Sequence, residues 1–210
     1  GRLAAVLIRV LALLLVPFVV SAATAPPLLS TDDSPANVDS TYGSGGFGTW
    51  HIDSFGLPVF SYELDEVADV RAQQDELEGG TEAQHQVGND HIVAAAFNHG
   101  YTQLWSQDRL AQWANLFDAT TQHFAGGFGW VVVDGKVLST LFLDRPSDAT
   151  FERDFGVGYY RKALHAEGLD VEQTVYAPFG DDPLLLDDVV ITNRTDATRT
   201  LSWFEYWDVN

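Results

Sequence analysis

The sequence predicts an all-β chain of antiparallel strands, and three observations predict it. First, the apolar runs Trp130 to Val133 and Lys136 to Leu143 flank Asp134-Gly135, a pair that tolerates the positive φ of a two-residue hairpin turn. Second, the last third reads as four strands of about eight residues with turn chemistry between them. They are Gly158 to His165, Leu169 to Ala177, Leu184 to Thr192 and Thr200 to Asp208. Third, in Leu201-Ser202-Trp203-Phe204-Glu205-Tyr206-Trp207 both alternating sets carry aromatic residues. Such a strand is expected to be covered on both sides, as between packed sheets.

The remaining elements follow along the chain. Residues 1–25 carry Arg2 and Arg9, the uncharged run Val10 to Val20 and then Ala23-Thr24-Ala25. That order is a secretory signal: a basic start, an apolar middle and a small-residue cleavage site. Residues 26–86 read as a leader or linker with at most a short strand at 51–62 and a short surface helix. The Gly, Pro, Ser and acidic content of that stretch buries little. From Val87 the texture changes. His91 to Phe97 and Tyr101 to Trp105 flank the turn Asn98-His99-Gly100 and predict a hairpin. Leu110, Trp113 and Phe117 stand at helical spacing, which predicts a short helix or an irregular excursion. The β domain is therefore expected over 87–210. It stops directly after an apolar run at Trp207-Asp208-Val209-Asn210, which reads as a cut end.

Composition narrows the function. With 11 Lys and Arg against 30 Asp and Glu the formal charge is −19, so nucleic acid and anionic membrane are poor partners. A neutral sugar is not repelled by such a surface. The absence of Cys removes disulfides, thiolate nucleophiles and Cys-based zinc sites, so core size must stabilise the chain. The six His residues show neither H-x-H nor H-E-x-x-H spacing, and no cofactor or metal is expected.

Two kinds of residue remain as candidates for chemistry. Adjacent carboxylates occur at Asp32-Asp33, Asp181-Asp182 and Asp187-Asp188, but neighbours on a strand point to opposite faces and cannot both reach one substrate. They are expected to be structural. Trp105, Trp113 and Phe128, with Asp108 and Arg109 interleaved, are the candidate carbohydrate contacts, since ring faces stack on pyranose C–H groups while polar side chains read hydroxyls. The alternative for each aromatic is ordinary strand or core packing. Asn193-Arg194-Thr195 is a glycosylation sequon on an expected loop.

Several runs resemble a known family. They are Val87 to Val93, Gly126 to Gly129, Phe151 to Tyr159, Tyr176 to Pro183 and Val190 to Asp196. Together they are similar to the N-terminal domain of the cellobiose phosphorylase and cyclic β-1,2-glucan synthase family, glycoside hydrolase family 94. The resemblance implies a galactose mutarotase-like β-supersandwich packed against an (α/α)6 catalytic barrel at the C-terminal side. The barrel would carry the catalytic acid, so no catalytic residue transfers to this chain, and the fragment alone is expected to be inactive. Implied partners are an oligosaccharide or β-glucoside, that barrel and, as in members whose loops close the site across a dimer, a second copy. The signal segment departs from the family's cytoplasmic phosphorylases and favours a hydrolase or an uncharacterised exported relative. The rival expectation is a free-standing carbohydrate-binding or adhesion sandwich without catalysis.

Overall fold

The computed structural model describes residues 48–63, 83–107, 112–118, 121 and 123–209. The expected signal segment lies outside them. In chain order the strands are β1 (Gly48–Ile52), β2 (Pro58–Tyr62), β3 (Gln84–Gly88), β4 (Ile92–Phe97), β5 (Thr102–Ser106), β6 (Gln112–Trp113), β7 (Phe117–Asp118) and β8 (His123–Phe124). There follow β9 (Gly126–Val133), β10 (Lys136–Ser139), a 3-10 turn at Phe142–Asp144, β11 (Thr150–Gly156), β12 (Tyr159–Ala166), β13 (Leu169–Tyr176), β14 (Leu186–Asn193) and β15 (Leu201–Trp207). Every strand pairing is antiparallel. The described residues are all-β, as expected.

Three sheets carry the architecture: β1-β2-β11-β12-β13-β14, β3-β4-β5-β6 and β10-β9-β15. The strand pair β7-β8 stands apart from them. Along β13 burial alternates strictly, placing Leu169, Val171, Gln173 and Val175 on one inner face of the six-stranded sheet, as a period of two requires. The three-stranded sheet covers one end of that face, where Val131, Val133 and Leu138 meet Leu164, Leu169 and Val171. The four-stranded sheet covers the other end, where Val87, Ala94 and Ala96 meet Tyr160. A hydrogen bond of 2.6 Å between the His85 ring and the carbonyl of Gly156 joins the same two sheets.

β4 is buried on both sides. Ala94 and Ala96 face Tyr160, while Ala95 and Phe97 belong to a second cluster with Tyr101, Phe124, Phe128 and Leu141. Small side chains let one strand sit between two packed layers, which is why His91 to Phe97 reads as a compact apolar run without alternation.

Three sequence expectations change. The expected single short strand at 51–62 is a hairpin, β1-β2, whose second strand pairs with β11. The Asp53 carboxylate shapes its turn by accepting the N–H groups of Phe55 and Leu57, both at 2.8 Å. The helical spacing around Trp113 and Phe117 gives no helix among the described residues there. Asn115 explains this: its side chain accepts from the N–H of Leu104 and donates to the carbonyl of Thr102, as a strand neighbour would. Finally, β15 does not continue the meander. It pairs with β9, from Leu201↔Val133 to Trp207↔Gly126.

The change of sheet happens at a cluster of turns. Asp134-Gly135 and Glu167-Gly168 are two-residue turns in which all four residues have positive φ, the geometry of type I′ hairpins. Arg199 binds the Asp134 carboxylate and the carbonyl of Glu167, so the loop after β14 is carried from one sheet to the other. On one face of β15 Leu201 and Trp203 pack against the core, and on the other Tyr206 does so while Phe204 is 55% exposed, so the second face is covered only in part.

The packing of β4 makes a prediction. Ala94 is fully buried against the six-stranded sheet, so Ala94→Leu overfills a layer that has no room and should cost about 1–3 kcal/mol. A melting temperature unchanged from wild type would contradict this two-sided burial.

Candidate functional site

The strands bring two of the sequence-predicted residues together. Register places Trp105 of β5 directly opposite Trp113 of β6. Their rings meet edge to face, with centroids 5.0 Å apart and planes at 72°. Trp113 keeps 36% of its surface exposed, and Gln103, two residues before Trp105, lies on the same strand face. Asp108 and Arg109 lie outside the described residues. Phe128 is elsewhere: it is 3% exposed and packs against Trp130 and Tyr206 at 5.3 and 5.1 Å. It serves the core, because the face of β9 opposite Val131 and Val133 is covered here by Tyr101 and Leu141.

The second group of chemically active residues was not selected from the sequence. Across the inner face of the six-stranded sheet, register sets Arg153, Lys162 and Gln173 side by side, and all three are buried. Arg153 donates to the carbonyl of Asn98 at 2.9 Å, with its guanidinium 3.7 Å from the centre of the Phe142 ring. The Lys162 ammonium donates to the carbonyls of Gly100 and Gly127, at 2.7 and 2.6 Å. Gln173 accepts from the Thr140 hydroxyl at 2.7 Å and donates to Asp187 at 2.8 Å and Glu205 at 3.2 Å.

Asp187 and Glu205 lie beside the same Gln173 amide and both accept from it. Desolvation on the inner side of the strands is the largest influence on the pair and pushes both carboxyls upward. The negative charge of Asp187 adds to the rise at Glu205, and the Lys162 ammonium opposes it. Burial pushes Lys162 down to about 8 against the pull of the two acids. Glu205 itself lies among the exposed residues, so the group runs from the fully buried ammonium outward to solvent at the rim of β15.

The alternation expected for Asp187-Asp188 is what the strand shows. Asp187 turns inward, whereas Asp188 accepts a hydrogen bond from the Tyr176 hydroxyl at 2.9 Å on the outer face. The true partner of Asp187 is remote in sequence. Its signal was present nonetheless, because Lys162, Gln173 and Glu205 each occupy the inward parity of an otherwise apolar strand.

Both carboxyls are engaged by one protein amide, that of Gln173. The cluster is built to bind protein groups. Among the described residues no group of three or more His, Asp and Glu is arranged to hold a metal ion. Compared with known proteins, the chain matches no family model, and no curated protein matches it.

Removing the central cation tests this arrangement. Lys162→Met would leave the carbonyls of Gly100 and Gly127 without their donor and two acids without their counter-charge. Breaking a buried pair in this way should cost about 3–5 kcal/mol. Chemical denaturation midpoints of wild type and variant measure it, and a loss below about 1 kcal/mol would show that the sheets do not rely on Lys162.

Proposed function

We propose that this chain is the non-catalytic β-supersandwich front domain of an exported carbohydrate-active enzyme, and that Trp105 and Trp113 contact an oligosaccharide. The single observation that carries the sugar-contacting role is the edge-to-face indole pair, with Trp113 open to solvent. Two rigid rings held by strand pairing offer stacking surface at little cost in side-chain entropy. The acidic balance of the chain suits a neutral ligand. The engagement of Asp187 and Glu205 by Gln173 supports a structural role for these acids, and catalysis then belongs to a barrel of the kind the resemblance implies. The signal-like segment at 1–25 is the basis for export.

The test is a titration with cello-, laminari- and sophoro-oligosaccharides, followed by tryptophan fluorescence. A front domain supplies only part of a cleft, so wild type should bind weakly, with a Kd on the order of 1 mM. Trp113→Ala should weaken binding about tenfold or more with the melting temperature unchanged. Absence of any binding by wild type would remove the sugar-contacting role. Micromolar binding would favour the free-standing carbohydrate-binding sandwich, for which the same indole pair is the site. A reading frame that continues past Asn210 into paired helices would support the front-domain role, and one that terminates soon after would sink it.

A further inference from the structure

The four-stranded sheet has two unlike faces. One meets the six-stranded sheet through Val87, Ala94 and Ala96. Strand register defines the other. Gly88 of β3 lies opposite Val93 of β4, Val93 opposite Trp105 of β5, and Trp105 opposite Trp113 of β6. Two residues along the strands a second row runs beside it, with Gln86 opposite Ala95 and Ala95 opposite Gln103. Direct partners on an antiparallel ladder share a face, so the indole pair and the two amides stand on the same side of the sheet.

We propose that the row from Gly88 to Trp113 is the track of a linear, uncharged oligosaccharide, and that Gln86 and Gln103 read its hydroxyl groups from one side. The inference rests on the proposed contact role of Trp105 and Trp113 and deepens it. Beyond the indoles the floor of the track is low, because Gly88 is exposed, Val93 is half-buried and both are small. Ala95 and Phe97 on the same face belong to the core cluster with Tyr101 and Phe124, so along β4 the open surface ends at the amide row. Gln86 is exposed and Gln103 half-buried, and among the described residues neither side-chain amide is engaged in a hydrogen bond. Each amide offers two donors and one acceptor. That set matches sugar hydroxyls, which both give and take hydrogen bonds.

Charge and length set the ligand class. None of the residues of β3 to β6 on this face is ionisable, in a chain that carries 30 Asp and Glu. A charged ligand finds no counter-charge there, whereas a neutral one needs none. Neighbouring strands stand about 4.8 Å apart, so the three intervals from β6 to β3 cover about 14 Å. One pyranose ring is too short to reach from Trp113 to Gln86, and a chain of three linked rings spans the distance. Stacking on the indoles anchors one end, and Gln86 meets the unit farthest from them.

Chain length separates this track from the indole contact alone. The full chain is titrated with cello-, laminari- and sophoro-oligosaccharides of two, three and four units, followed by tryptophan fluorescence. In a series that binds, affinity should rise about tenfold from two units to three and little beyond. Gln86→Ala should remove that gain and leave two-unit binding unchanged, and because Gln86 is exposed the fold is not at risk. Gln103→Ala, next to the indoles, should weaken both lengths about fivefold. Equal affinity for two and three units, or a three-unit gain that survives Gln86→Ala, overturns the track while the indole contact stands. Absence of binding by wild type at every length overturns the indole contact and the track with it.

Discussion

The structure depends on one row of buried polar side chains, Arg153, Lys162 and Gln173, set side by side across the largest sheet. A sandwich core is ordinarily apolar throughout, but three sheets converge here and their turns bring backbone carbonyls inward. Those of Asn98, Gly100 and Gly127 would be stranded without donors, and a buried carbonyl left unpaired costs about as much as a lost hydrogen bond. The row satisfies these groups and divides the interior into separate apolar clusters. Buried charge of this kind is weak evidence for stability in itself. Its value lies in geometry, because the donors accept only one placement of the two smaller sheets.

The same row governs the open side of the molecule. Gln173 reaches Asp187 and Glu205 on strands that belong to different sheets, so one amide spans the rim between them. At the opposite end of β15 the closure is different in kind. Arg199 ties the loop to the turns at Asp134 and Glu167, and Lys136 pairs with Glu167 at 2.5 Å. These contacts are more exposed and correspondingly weaker.

The aromatic residues sort into two populations that composition cannot separate. Phe97, Tyr101, Phe124 and Phe128 are fully enclosed in one cluster. Trp105 and Trp113 form a pair that stays partly open. Both populations occur within one stretch of chain and share the same residue chemistry. Sheet register and the course of the chain after β5 decide which ring faces water. That is why Phe128 and Trp113 looked alike as candidate contacts and are not.

The sequence by itself determined the all-β class and several of its strands and turns. The two-residue turns at Asp134-Gly135 and Glu167-Gly168, the β4-β5 hairpin and the inward and outward parity of Asp187 and Asp188 all follow from local rules of φ and strand period. Tertiary structure alone decided the sheet to which each strand belongs. β15 reads as the next strand of a meander, but the loop held by Arg199 delivers it to β9. Tertiary structure also decided the partners of the inward polar residues. Lys162, Gln173, Asp187 and Glu205 lie on four strands, and their chemistry exists only where two sheets face each other. Local sequence encodes which side a residue points to. What it meets there depends on contacts between strands far apart in the chain.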